Sequence, residues 1–152
     1  MAPARLLDLT RTLRRTGRVA TGVDRVELAY LARFLDDDVP LYGLFRTALG
    51  YVLLDREGVQ GFADRVAGVQ PWGTVVGLAR LSRASQIVRR AESDVRRLSL
   101  ARLTPGRLGG VLARLLPQGY AYYNVGHSNL TDRVLSEIGR ASVGKECRSR
   151  WS

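Results

Sequence analysis

Short apolar runs alternate along the chain with stretches whose apolar residues recur at helical spacing. The run RLLDLT, Arg5 to Thr10, predicts the first strand of a domain. The next segment, RTLRRTGRVATG, is polar and basic, and reads as a loop in which Gly17 and Gly22 permit tight turns. From there Val23, Val26, Tyr30 and Phe34 recur every three or four positions, with Leu31 and Leu35 widening the same face, which predicts an amphipathic helix. Thr21 followed three residues later by Asp24 is close to a capping box, so Thr21 is the expected N-cap. The acidic run Asp36-Asp37-Asp38 before Pro40 should end that helix.

Leu41 to Thr47 and Gly50 to Leu54 are strand-like segments with a very short connection, and a hairpin is favoured over successive sheet strands. Arg56 to Ala67 predicts a helix despite Gly58 and Gly61, and Trp72 in QPWGT is expected to anchor a turn against the core. Val75 to Leu116 reads as helical, interrupted by Pro105 and the Gly109-Gly110 pair. Its apolar stripe is Ile87, Val88, Ala91, Val95 and Leu98, with Arg89, Arg90, Arg96 and Arg97 mainly on the other side. Gly119 to Gly126 is the next strand, and SNLTDRVLSE the start of a helix capped by Ser128 or Asn129. Strands alternating with helices imply an α/β fold with a mainly parallel sheet. A doubly wound domain normally continues with further such units, so the chain is expected to hold its front part only.

A length of 152 residues with 45% apolar and 25% charged residues fits one globular α/β unit or a piece of one. No apolar run approaches the roughly 18 residues needed to cross a bilayer. The first nine residues carry Asp8 in place of a signal-peptide pattern, so a cytoplasmic location is expected. The lone Cys147 excludes an intrachain disulfide and a multi-cysteine metal site.

The net charge of +10 is regional. Between Gly77 and Leu116 nine arginines face only Glu92 and Asp94. This basic helical region, about 75–116, is a solvated face, a contact for an acceptor or an anionic membrane, or a nucleic-acid surface. The last is the least favoured, because no base-reading or stacking module accompanies the charge.

The final fifteen residues, IGRASVGKECRSRWS, hold the only lysine, the only cysteine and one of the two tryptophans. They abandon the preceding Leu/Val/Ala pattern. The run resembles translated sequencing-adapter read-through, and residues 138–152 are therefore expected to be a non-native tail, with the domain occupying 1–137.

Two places are candidates for chemistry. One is the strand, glycine-containing loop and helix from Leu6 to Phe34. There Gly22 would allow close backbone approach and Arg25, with Arg18, would bind a phosphate or an acidic sugar at a helix N-terminus; a plain turn with solvent-facing arginines is the alternative. The chain has neither GxGxxG nor GxxxxGK[ST], which leaves a dinucleotide or P-loop site without support. The other is His127, the only histidine, at a strand-to-helix junction, as a contact to a sugar hydroxyl or as a structural cap. Asp8, Asp24 and Asp55 lie near element ends, but spacing does not pair them as acid and base.

The segments Ala4 to Leu35, PLYGLFRTALGYVLLDREG and AYYNVGHSNLTDRVL resemble bacterial family 1 or family 4 retaining glycosyltransferases of polysaccharide biosynthesis. TGVDR, Thr21 to Arg25, is similar to that family's first loop-to-helix motif. The resemblance implies an incomplete Rossmann-like N-terminal domain of a GT-B glycosyltransferase, a hexosyltransferase that moves a sugar from a nucleotide sugar to a glycan or lipid-linked acceptor. It implies that Gly22, Arg25 and His127 face the cleft between two lobes, that no metal or cofactor is needed, and that this chain alone is inactive. A different-class reading is a standalone basic α/β domain binding anionic membrane or nucleic acid.

Overall fold

A computed structural model describes residues 3–47 and 50–124. His127, the helix expected after it and the 138–152 run lie outside the described residues. In chain order the elements are β1 (Ala4–Asp8), α1 (Thr10–Arg14), α2 (Gly22–Leu35), β2 (Leu41–Thr47), β3 (Gly50–Leu54), α3 (Arg56–Val66), a 3-10 helix (Gly77–Leu81), α4 (Gln86–Arg97), β4 (Ala101–Leu103), α5 (Leu108–Leu115) and β5 (Tyr120–Tyr123).

The strands form one sheet in the order β4-β3-β2-β1-β5. β1 pairs in parallel with β2 on one side and β5 on the other, while β3 runs antiparallel to both β2 and β4. The fold is thus α/β, but the sheet is mixed and not mainly parallel as expected, because the β2–β3 hairpin and β4 add two antiparallel pairings. The expected hairpin forms with the expected bounds, Thr47 opposite Gly50. Gly50 has a φ of 127°, and a Cβ there would meet the Leu103 carbonyl oxygen at 2.1 Å, so β4 lies directly against the hairpin.

Alternation along the strands splits the core between two faces. Leu7, Phe45, Val52 and Leu54 face α1 to α4, where they meet Leu13, Phe34, Val59, Phe62 and Val95. Phe45 and Phe62 stack edge to face with centroids 4.9 Å apart. Leu6, Leu44, Leu53, Tyr120 and Tyr122 face the other way, onto Leu108, Leu112 and Leu116 of and beside α5.

Three expectations change. The 75–116 stretch breaks at other places than expected: Ala101–Leu103 joins the sheet as its edge strand, and Gly109-Gly110 lie inside α5. Part of the loop after β1 is the short helix α1, whose Leu13 is buried in the core. The face of α2 is also rotated: Val23 and Val26 are 43% and 42% exposed, whereas Glu27 is 1% exposed. The cause is α1, which presents Arg11, Thr12 and Arg15 to α2, so that its first two turns turn carboxylates inward to them. Apolar packing resumes at Leu31 and Phe34.

Arginines fasten the irregular parts. Arg56 donates to the carbonyls of Leu35, Asp37 and Val39, satisfying the acceptors left at the C-terminal end of α2 and beyond it. Arg5 pairs with Asp37 at 2.9 Å and lies over the Phe34 ring. On α4, Arg90 donates to the carbonyls of Trp72 and Gly73, and Arg97 to that of Thr74. Asp94 and Ser93 accept from the amides of Gly73 and Val76. Part of the basic face of α4 therefore binds the protein's own backbone.

The two positions on α2 give a direct test of its rotation. Leu31→Ala should cost about 2–5 kcal/mol in urea unfolding. Val26→Ala should stay within about 0.5 kcal/mol. Equal losses would restore the stripe that includes Val26.

Candidate functional site

The carboxyl ends of β1, β2 and β5 lie at one edge of the sheet, where β1 has its two parallel neighbours. The chain crosses from β1 to β2 on one side and comes back as β5 on the other, and such reversals leave a crevice beyond the strand ends.

Polar side chains collect there. Asp8, the last residue of β1, is 5% exposed. Its Oδ1 accepts from the Thr10 amide at 3.0 Å and its Oδ2 from the Tyr122 hydroxyl at 2.8 Å. Asn124, just past β5, donates to the Tyr122 hydroxyl at 3.0 Å. The Thr10 hydroxyl accepts from the Arg46 amide at 2.9 Å, tying β2 to the same cluster. Burial pushes the Asp8 carboxyl above its ordinary range, opposed by the Thr10 and Tyr122 hydrogen bonds. Burial likewise raises the Tyr122 phenol, reinforced by the Asp8 charge, so the phenol is the donor of this pair.

Glu27 projects from α2 toward the same region and accepts from the Thr12 hydroxyl at 2.6 Å. Burial, opposed by the Thr12 bond and aided by the Asp8 charge, raises its carboxyl to about 7. A carboxyl that exchanges its proton near neutrality has the acidity of a general acid or base.

At the start of α2 the sequence-predicted loop is closed on itself. Thr21 and Asp24 complete the capping box. Asp24 accepts from the Thr21 amide and hydroxyl, each at 2.8 Å, and pairs with Arg15 at 2.7 Å and Arg11 at 3.1 Å. Burial works to raise the Asp24 carboxyl, but the Thr21 bonds and Arg15 outweigh it and hold it at about 2. The Asp24 carboxylate thus engages the Thr21 cap, Arg11 and Arg15, and none of the Gly22, Arg18 and Arg25 expected to meet an external anion is among these partners. Gly22 opens α2, is exposed, and has open space where a Cβ would stand. Arg25 is exposed on the same turn. The third expected residue, His127, lies outside the described residues.

Beside this cap is a cavity of about 340 Å³. Thr12, Arg15, Arg18 and Asp24 give it polar walls, and Trp72 and Ile87 apolar ones. Gly17, with a φ of 81°, turns the loop so closely that a Cβ would meet Ile87 of α4 at 2.9 Å. Thr12 joins the cavity to Glu27, and neither the Asp8–Glu27 neighbourhood nor the Trp72 wall follows from sequence spacing. The strand-end position of Asp8 was the one available signal.

Among the described residues no group of His, Cys, Asp and Glu is placed to hold a metal, and no helix is long and apolar enough to cross a membrane. Compared with protein-family models, curated proteins and solved structures, the chain has no significant match.

The Glu27 carboxyl makes stability depend on pH. Its folded value lies above the ordinary 4.5, so its contribution is full below 4.5 and is lost as pH rises through about 7. Glu27→Gln keeps an acceptor for Thr12 and cannot ionise. Urea midpoints measured from pH 5 to 8 should fall for the wild type and fall less for E27Q; parallel curves would assign the slope to another group.

Proposed function

We propose that this chain forms the acceptor-side, Rossmann-like lobe of a GT-B glycosyltransferase, and that the cavity beside the α2 cap receives a glycan or the glycan part of a lipid-linked acceptor. The observation that carries the reading is the cavity itself, a Trp72 wall among hydroxyl, guanidinium and carboxylate groups. A sugar presents apolar C–H faces and a rim of hydroxyls, which suits an aromatic wall flanked by fixed polar groups. The motif resemblance at Thr21 to Arg25 and the parallel arrangement of β1, β2 and β5 support the same class.

In this reading Arg15 and Asp24 fix one wall through their mutual bond, and Arg18 on the loop meets acceptor hydroxyls. Gly22 and Arg25 lie on the adjoining exposed turn, available to an opposing lobe that carries the nucleotide sugar. Glu27, tuned by burial, stands behind the cavity wall and is linked to it through Thr12. Hexosyl transfer needs closure of two lobes to exclude water, so one lobe binds acceptor without turnover.

Tryptophan emission reports the cavity directly once the second tryptophan is removed. In a Trp151→Phe background, mannobiose, cellobiose or maltotriose should shift Trp72 emission, UDP-glucose and GDP-mannose should not, and no hexose should be transferred. Turnover of either nucleotide sugar by the purified chain would falsify the one-lobe reading, and silence of Trp72 toward all three glycans would sink the acceptor assignment.

A further inference from the structure

A second cavity, also about 340 Å³, lies at the opposite side of the sheet from β5, between the edge strand β4, the β2–β3 hairpin and the C-terminal half of α4. Its floor is apolar, from Tyr51, Val52, Val76 and Leu103. Three arginines, Arg96, Arg97 and Arg102, stand in its wall, and no acidic residue lines it.

The three guanidinium groups are not equivalent. Arg97 shares the Asp94 carboxylate with Arg65, and the other arm of Arg97 holds the Thr74 carbonyl. Arg102 bonds the Arg96 carbonyl at 2.9 Å and the Ser99 hydroxyl at 3.3 Å. Arg96 differs: its Nη1 is buried and has no hydrogen-bond acceptor among the described residues. Glu92, one turn earlier on α4, is the acid whose charge interacts with Arg96, and it does not line the cavity. A buried guanidinium N–H with no acceptor is costly in a folded protein and calls for a partner. Arg96 also lines the cavity, so a ligand oxygen held there is a candidate for that partner.

We propose that this cavity binds a phosphate monoester carried on an apolar or aromatic body, with Arg96 as its principal phosphate ligand and Arg102 at the rim. Charge in the wall and apolar surface in the floor select together for an amphiphilic oxyanion over a bare one. The cavity shares no lining residue with the one beside the α2 cap, and the inference is independent of the glycan reading.

Calorimetric titration at low ionic strength with inorganic phosphate, phenyl phosphate and hexyl phosphate tests it. One of the two esters should bind at least about tenfold more tightly than inorganic phosphate, as burying the substituent adds apolar contact. Tighter binding of hexyl phosphate points to a lipid phosphate, and of phenyl phosphate to an aryl or nucleoside phosphate. Arg96→Met should weaken the ester by about tenfold or more, with Arg96→Lys restoring part of it. Thr104→Trp, at the exposed rim, should block binding without touching the core, which covers the case of a poorly folded Arg96 variant. Equal affinity for phosphate and both esters, no binding to any, or unchanged ester binding in well-folded R96M and T104W overturns the proposal.

Discussion

Asp8 is a carboxyl group taken out of water at the carboxyl end of β1, and a polar group buried there needs hydrogen-bond partners. Its position fixes what surrounds it. The Tyr122 hydroxyl must come from β5, 114 residues away, and the Thr10 amide from the turn into α1. Thr10 in turn holds the backbone of β2 at Arg46. One carboxylate therefore ties three strands and the first helix together at the edge where the chain reverses direction. Burial weakens the acidity of both Asp8 and Glu27, and the Asp8 charge adds to the effect on Glu27. The stability of the edge and its proton chemistry have a common origin.

Around that edge the molecule spends charge locally. Asp24 draws Arg11 and Arg15 onto the α2 cap, Asp94 draws Arg97 and Arg65 onto α4, and Arg56 closes α2 through three carbonyls. A high content of arginine is thus in part a structural device: a planar fork with several donors satisfies carbonyls that loops and helix ends leave over. This shifts attention from the basic surface as a whole to the few guanidinium groups that bound cavities.

Elements with strong local signals were legible in the sequence. The Thr21–Asp24 box, the hairpin at Thr47 and Gly50, and the stripe through Val88, Ala91 and Val95 depend on neighbours within a turn or two of chain. β4 was not legible: three residues carry no periodicity, and its pairing with β3 crosses about fifty residues of chain. The rotation of α2 was missed because hydrophobic spacing cannot register that α1 offers polar partners to Asp24 and Glu27. For the candidate site, the loop and the helix start were legible, whereas the pull of Asp24 on Arg11 and Arg15 across from α1 was not. The Trp72 wall and the Asp8–Glu27 neighbourhood arise only when distant segments meet.

Gly50 shows how narrow a margin such a meeting leaves. With the Leu103 carbonyl packed into the volume that any other residue would fill, the hairpin and the edge strand approach to the limit set by a single hydrogen atom. Drift at this position is closed to all other amino acids unless β4 withdraws from the sheet. The width of the neighbouring cavity, which Gly50 and Leu103 both line, is accordingly set by a side chain that is not there.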